Sequence, residues 1–286
     1  SAGPAAGGLT ELVLSDNPFG DAGFSGLAAC LCGEYSGFAV LRRLEVSNCG
    51  LGIIAANAIG GVLRENHTLE ELDVSRNTFG STGAAHIAGG LAENDRLTVL
   101  DLTSCQVGGM GAAVIANALL PGGGGGFEDA VNGGTALRVL SAVGGGVGRG
   151  AWRAQPGTGV GSSKSIKDGL KLVGDLGSVA QLDETATTGN TALRELWLGD
   201  NNIDNRAVFG LLAVMAVHPK LDVLELRSNP LGPAAARRLL RAFLAKPEFA
   251  RLGLAGVTLT VQKVKGLAEL SASSASEMSG GRGSGG

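Results

Sequence analysis

Apolar residues along the chain recur in the pattern L-x-x-L-x-L-x-x-N/C-x-L. Copies of this pattern begin at Leu9, Leu41, Leu69, Leu97, Leu137, Leu193, Leu221 and Phe249. Successive starts lie 32, 28, 28, 40, 56, 28 and 28 residues apart, so four of the seven intervals are 28 and a fifth is twice that. A constant interval of this size indicates an internal repeat of one structural unit. The copy at Leu137 is weaker, because Ala142 and Gly145 replace its third apolar residue and its Asn or Cys.

The second half of each unit carries a helical pattern. Apolar residues four apart, which share one face of a helix, follow each strand motif at Leu27 and Leu31, Ile59 and Leu63, Ile87 and Leu91, Ile115 and Leu119, Leu211 and Met215, and Leu239 and Phe243. Small residues precede these pairs at Ala56, Ala84, Ala112 and Ala236, where the helix must approach its neighbour closely. Each unit is therefore predicted to be a short strand, a turn and a helix. Because one unit cannot bury its apolar face alone, the units stack, so inward positions are fixed and outward positions vary.

The motif position taken by Asn17, Cys49, Asn77 and Cys105 completes a resemblance to the leucine-rich-repeat family, in its ribonuclease-inhibitor-like subtype. The resemblance covers residues 9–270. It implies an α/β solenoid in the form of a curved horseshoe, with a parallel β-sheet on the concave face and helices on the convex face. It also implies that the motif Asn hydrogen-bonds to neighbouring backbone where the chain leaves the strand, and that Cys fills the same position.

The domain prediction is one repeat domain, 9–270, made of seven full units and a final partial one. Residues 1–8 are predicted to be disordered, and 271–286 form a Ser/Gly-rich tail, because both are too poor in apolar residues to pack. A Gly-rich insertion is placed near 121–134 and a larger one near 148–190, and a closing helix is expected at 261–270. The 56-residue unit has two interpretations: a repeat with insertions flanking a helix at 165–179, which we favour, or a lost repeat. The larger insertion is either a binding element or a disordered excursion.

Charge and hydropathy narrow the classes of function. Lys and Arg number 23 against 26 Asp and Glu, for a net charge of −3, which argues against a general nucleic-acid binder. The longest apolar run, Val208 to Val217, is too short to cross a bilayer and falls where a repeat helix is expected. Neither a signal peptide nor a disulfide framework is visible, so we expect an intracellular, cytoplasmic protein without membrane partners.

Residues that often carry chemistry have structural interpretations here. Cys49 and Cys105 occupy the inward motif position and are predicted to lie in the core. Cys30 and Cys32 form C-x-C, but no two further metal ligands are in sight, so no metal site is predicted. The histidines, His67, His86 and His218, fall at unrelated repeat positions and are expected to be solvated or in loops. Asn66 begins a single N-glycosylation sequon, which is weak by itself.

One stretch, residues 157–165, has the look of a phosphate-binding loop. With Lys164 as the phosphate-contacting Lys, Thr158 and Ser163 stand where that motif requires glycines. Because neither required glycine is present, neither a nucleotide nor any other small-molecule cofactor is predicted.

The remaining class of function is recognition of a partner by the surface of the protein. The x positions of the strand motif point away from the core, and equivalent positions in successive units align across the sheet. The predicted partner-binding residues on the concave face are Arg42, Arg43, Glu45, Glu71, Asp73, Asp101, Glu195, Trp197, Glu225 and Arg227. Trp197 is predicted to be exposed, as interface anchors often are. The alternative is a solvated mixed-charge face on which Trp197 packs over a neighbouring side chain.

The favoured function is a non-catalytic protein-interaction scaffold or structural subunit of a multi-subunit complex, acting through the concave face, the 148–190 insertion or both. The subtype occurs in ribonuclease inhibitor, NOD-like receptors and ciliary machinery. The Ala- and Gly-rich composition resembles that of GC-rich genomes such as those of green algae, where many such proteins are axonemal, so a cilium is one expected location. The alternative is a GTPase-activating protein of the Ran type, with Arg76 and Arg227 as candidates. Such proteins typically carry an acidic tail, whereas this tail has one Glu277 and one Arg282.

Overall fold

The computed structural model describes residues 8–32, 38, 40–121, 189–247 and 249–256. Within them, short strands alternate with helices, one helix following each strand from β1 to β6. The strands are β1 (Glu11–Val13), β2 (Arg43–Glu45), β3 (Glu71–Asp73), β4 (Val99–Asp101), β5 (Glu195–Trp197), β6 (Val223–Glu225) and β7 (Arg251–Gly253). The helices are α1 (Gly20–Cys32), α2 (Ile53–Glu65), α3 (Gly80–Glu93), α4 (Gly108–Ala118), α5 (Val208–Val217) and α6 (Pro233–Leu244), and a 3₁₀ turn, Asn205–Ala207, precedes α5.

The strands form one parallel sheet in sequence order from β1 to β7. The register follows the repeat: Leu44 pairs with Leu72, and Leu72 with Leu100. Each helix returns the chain to the same end of the next strand, which a parallel connection requires. The predicted α/β leucine-rich-repeat solenoid is confirmed, and the run at 208–217 is the helix α5.

The core lies between the sheet and the helices. The middle apolar residue of the strands β2 to β6 is at most 2% exposed. The helical pairs from Ile59 to Met215 are also at most 2% exposed, and the four preceding alanines are fully buried. The prediction that the motif leucines face the core is wrong for Leu9, which is 44% exposed. Leu9 belongs to the first described coil, and no described coil precedes it to cover its side chain.

The motif asparagines bond the coils together as predicted. Asn77 Oδ1 accepts hydrogen bonds from the backbone N–H groups of Cys49 and Leu51, both at 3.0 Å. Its Nδ2 donates to the carbonyls of Val46, at 2.9 Å, and Val74, at 2.8 Å. Thus one buried amide satisfies backbone groups of two successive coils.

The described sheet leaves no place between β4 and β5 for a strand from the weak copy at 137–147. β4 pairs directly with β5, with Leu100 opposite Leu196, so no strand from that copy lies between them. Asn201 Oδ1 accepts a bond from Cys105 N at 2.8 Å across an offset of 96 residues, where other coils have 28. The copy resembles the motif in sequence, but it falls in the chain between two coils that are adjacent in the sheet.

Several predictions lie outside the described residues. These are the weak copy itself, both insertions apart from their edges, the helix at 165–179, the closing helix at 261–270, the tail at 271–286, and residues 1–7 of the N-terminal segment.

Candidate functional site: the concave face of the sheet

Two rows of side chains cross the concave face because the strands are parallel and in register. The row through Glu11, Arg43 and Glu71 continues to Val99, Glu195, Val223 and Arg251. The other row runs from Val13 through Glu45, Asp73, Asp101, Trp197 and Glu225 to Gly253. Both rows match the predicted alignment.

Arg43 is the charged centre of the first three strands. Its guanidinium lies 3.3 Å from Glu11 Oε1 and 3.4 Å from Glu71 Oε2, and it also pairs with Glu45. The carboxylate of Glu45 raises the Arg43 pKa through hydrogen bonding and charge. Three carboxylates share one cation here, so this end of the face keeps a negative excess.

Asp73 and Asp101 extend the excess of negative charge to the middle of the concave face. Each uses one carboxylate oxygen to fix its own strand end: Asp73 Oδ1 accepts from Ser75 N at 2.8 Å, and Asp101 Oδ1 from Thr103 N at 2.7 Å. Burial raises the pKa of Asp101, and the neighbouring Asp73 adds to the rise, while the hydrogen bonds to Thr103 and the charge of Arg227 oppose it. These two aspartates therefore have a structural role in addition to their place on the surface.

Trp197 is half-buried rather than exposed, which corrects its predicted exposure. Its Nε1–H donates to Glu195 Oε2 at 3.1 Å, and the Arg251 guanidinium carbon lies 5.2 Å from the ring centroid, a cation–π distance. The same Arg251 bonds to Glu225 Oε2 at 3.0 Å. Trp197 is thus held by a hydrogen bond to Glu195, and the Arg251 guanidinium covers one face of its ring.

Glu225 does not offer its carboxylate to a partner. It is 2% exposed, bonds to Arg251, and accepts a hydrogen bond from Arg227 N at 3.0 Å. It lies over Gly253, where an added Cβ would come 1.9 Å from Glu225 Oε1. Its placement in the predicted binding set is therefore corrected: Glu225 supports Arg251, and through it Trp197.

An open depression collects most of the predicted residues. It is lined by Arg43, Leu44, Glu45, Glu71, Leu72, Asp73, Val99, Asp101, Glu195 and Trp197. Arg42, Glu225 and Arg227 do not line it, and Arg42 instead pairs with Glu70 just before the strands begin. Arg251 was missed as a site residue, although its alignment with Val223 in the same row could have indicated it.

The histidine and sequon predictions need correction or refinement. His218 lies in a loop, directly after α5, which is one of the two predicted settings, but it is 1% exposed and therefore not solvated. Its Nε2 lies 2.8 Å from the Asn190 carbonyl oxygen, and its Nδ1 accepts from Leu221 N at 2.9 Å. Asn66 is 7% exposed, and its Nδ2 donates to the Leu31 carbonyl at 3.1 Å, so the sequon amide is engaged inside the fold.

Burial raises the pKa of three of the four cysteines, Cys32, Cys49 and Cys105, and so disfavours their thiolate form. Cys49 and Cys105 are fully buried, as predicted, and burial raises the pKa of Cys105 to about 12. Cys30 is exposed, whereas partial burial and Glu65 raise the pKa of Cys32. Among the described residues, His, Cys, Asp and Glu form no group of three that could hold a metal ion. Nor does any helix of this described part have the length and apolarity to span a membrane.

A comparison with protein-family models agrees with the repeat geometry. The model of the family described as Leucine Rich repeat matches residues 9–28, 65–88 and 94–116, which fall in the first, third and fourth coils and the turns that join them. Among solved structures, leiomodin-1 actin-binding site 2 is similar at 22% identity with a TM-score of 0.34. That match spans 37% of this chain and 61% of the leiomodin chain, which is less than two thirds of it.

Proposed function

We propose that this chain, a leucine-rich-repeat protein, is a non-catalytic scaffold that binds another protein through its concave face. Proteins with this repeat generally act by protein–protein contact. The observation that carries the proposal is the depression across β2 to β5, where Trp197 lies beside carboxylates supplied by four different strands. A half-buried aromatic ring whose orientation is fixed by polar neighbours is the type of residue that anchors protein interfaces.

The charges favour a partner segment with basic residues. Glu71, Asp73, Asp101 and Glu195 line the depression, and Arg43 is the one cation in its lining. Arg251 covers one side of the Trp197 ring from outside that lining. A Lys or Arg stem lying against the remaining ring surface would place its charge among these carboxylates. Electrostatic attraction of this kind would strengthen binding at low salt and weaken it at high salt.

Truncation of the anchor tests the proposal. Trp197→Ala is expected to weaken binding to the native partner by at least ~1 kcal/mol, about fivefold in Kd. The matched control is His86→Ala, which removes an exposed side chain on the helix side in α3 and is expected to leave affinity unchanged. Cross-linking mass spectrometry of the native complex first identifies the partner and its contacts, and titration calorimetry with each variant measures affinity. Contacts confined to the helices, or equal affinity of both variants, would contradict the concave-face proposal.

Membership in a multi-subunit complex, a cytoplasmic or ciliary location and the lack of catalysis belong to the same proposal. The alternative of Ran-type GTPase activation has its own assay, in which this chain is added to a GTP-loaded Ran-type GTPase. Arg76 already donates to Ser47 Oγ at 3.0 Å and lies 3.6 Å from Asp16 Oδ1, so it is held on the repeat surface. We expect no stimulation, and faster GTP hydrolysis would replace the scaffold proposal with the activator.

A further inference from the structure

The charge of the concave face changes sign between β5 and β6. Each strand has three concave positions, which are its first and third residues and the residue two beyond the third. Over β1 to β4 these positions carry five carboxylates and one arginine: Glu11, Glu45, Glu71, Asp73, Asp101 and Arg43. Over β6 and β7 they carry two arginines and one carboxylate: Arg227, Arg251 and Glu225. Trp197 on β5 therefore lies between a negative part and a positive part of the face.

Arg227 extends towards the negative part across a glycine of the neighbouring strand. Asp200 N donates to the Arg227 carbonyl at 2.9 Å, so the ladder of the sheet places Arg227 beside Gly199. A Cβ on Gly199 would lie 3.0 Å from Arg227 Cγ and 3.3 Å from its Nε. The arginine side chain thus lies over Gly199, which stands two residues after Trp197 and so on the same face of the chain. This contact places Arg227 next to the Trp197 end of the depression, outside its lining.

Within the described coils, the guanidinium of Arg227 forms no ion pair. Arg43 pairs with three carboxylates, and Arg251 pairs with Glu225. Glu225 accepts only the backbone N–H of Arg227, and it uses its other carboxylate oxygen for Arg251. The charge of Arg227 opposes the rise in the Asp101 pKa, but the two side chains do not pair. An acidic group from a partner would therefore meet an exposed cation without breaking an existing ion pair.

We infer that the concave face binds a segment with two side chains of opposite charge, and that Arg227 binds the acidic one. The inference rests on the proposed function, in which the basic side chain lies among the carboxylates beside Trp197. Neighbouring strands lie ~4.8 Å apart, so two strand steps separate Asp101 from Arg227 by about 10 Å, and an extended polypeptide advances ~3.3 Å per residue. A segment that crosses the strands would thus carry its acidic residue about two to four positions from its basic residue. Its direction across the sheet is then fixed by charge.

Peptide selection tests this inference with a defined probe. Phage that display random peptides are selected on the full chain and on its variants Arg227→Gln, Arg227→Glu and Trp197→Ala. The matched control is Arg241→Glu, the same change of charge at an exposed arginine on the helix side in α6. We expect the unmodified chain and Arg241→Glu to select peptides with a basic and an acidic residue at a fixed spacing. The acidic preference should disappear with Arg227→Gln and become a basic preference with Arg227→Glu.

The outcomes separate this inference from the proposed function. Peptides that share a basic residue alone, or an acidic preference that persists in both Arg227 variants, would overturn the inference and leave concave-face binding in place. Selection of no peptide at all, or of the same peptides by Trp197→Ala, would overturn the proposed function and the inference together.

A double-mutant cycle measures the contact itself. For a selected peptide, replacement of the acidic residue by its neutral amide is expected to weaken binding to the unmodified chain about tenfold. The same replacement should change binding to Arg227→Gln by less than about twofold, because the charged partner is already absent. Fluorescence anisotropy of the labelled peptides gives the four dissociation constants. Equal losses on the two proteins would show that the acidic residue binds elsewhere and would refute the role of Arg227.

Discussion

At the scale of single residues, five side chains occupy one position where helices give way to the next strand. They are Asn66, Asn94, Asn190, His218 and Lys246. Asn94 shows the common role: Oδ1 accepts from Leu97 N at 2.7 Å while Nδ2 donates to the Leu63 carbonyl of the preceding coil at 2.6 Å. His218 reproduces it with a ring, since Nδ1 accepts from Leu221 N and Nε2–H donates to Asn190 O. This assignment of the ring proton follows from the two bonds, because Nδ1 faces N–H groups and must accept.

His218 makes the stability of the fold depend on pH. Burial lowers its pKa from 6.5 to about 4, the bond to Asn190 opposes the shift, and the nearby Lys246 and Lys220 add to it. The unfolded chain therefore binds a proton more readily than the folded chain, so stability is complete above pH ~6.5 and is lost as the pH falls towards ~4. This loss approaches ~3 kcal/mol for one such group.

The matched variant is His218→Asn, because Asn fills this position in other coils and does not titrate. Urea unfolding of both proteins between pH 7 and pH 4.5 measures the difference in their free energies of unfolding. We expect this difference to shift in favour of the variant as the pH falls. Parallel pH profiles for the two proteins would contradict this role of His218.

At the scale of elements, neighbouring helices approach closely enough that backbone contacts backbone. A Cβ on Gly60 in α2 would lie 2.4 Å from the His86 carbonyl oxygen of α3, and a Cβ on Gly90 in α3 would lie 2.1 Å from the Gly60 carbonyl oxygen. These distances are shorter than any non-bonded contact allows, and both partners are backbone atoms that a rotamer change cannot move. The high glycine content is thus used partly inside helices, where it sets the spacing between coils.

Two adjacent glycines in α3 give a controlled test of this packing. Gly89→Ala adds a methyl group with no atom within 4 Å and should stabilise by ~0.5–1 kcal/mol through helix propensity. Gly90→Ala gains the same propensity but pushes α3 away from α2, so a net loss of ~1–3 kcal/mol is expected from the strain. Chemical denaturation of both variants measures the two signs. Similar effects of both substitutions would show that α2 and α3 are not packed backbone to backbone.

The periodicity of the sequence predicted the features that recur in every coil. Leu72, Leu100 and Leu196 recur because each occupies the same buried place, so the sheet register could be read from spacing alone. The repeat position that His218 occupies was missed because it is defined by hydrogen bonding, not by hydropathy, and a hydropathy pattern does not distinguish Asn, His and Lys at one position from other polar residues. The exposure of Trp197 could not be read from spacing either, since it depends on Arg251, which comes from a strand two places along the sheet.

At the scale of the whole molecule, the solenoid is continuous across residues 122–188. β4 and β5 pair as any other neighbouring strands do, and Cys105 N and Val107 N donate to Asn201 as Cys49 and Leu51 do to Asn77. The bond from Asn190 N to the Ala118 carbonyl repeats, at the equivalent position, the bond from Asn66 N to the Val62 carbonyl. The coils therefore do not need the inserted stretch for their own register.

Excision of residues 122–189 follows from this geometry. Joining Pro121 to Asn190 recreates the sequence arrangement at Glu93 and Asn94, and we expect a folded solenoid with an unchanged sheet signal in circular dichroism. Trp152 is removed with the stretch, so Trp197 becomes the single tryptophan and its fluorescence reports on the concave face. Its emission should match that of Trp197 in a full-length Trp152→Phe chain, because the strands around Trp197 are the same in both chains. An excision of equal length, 126–193, removes Asn190 and Leu193 and should not fold; equal behaviour of the two excisions would contradict the continuity of the solenoid.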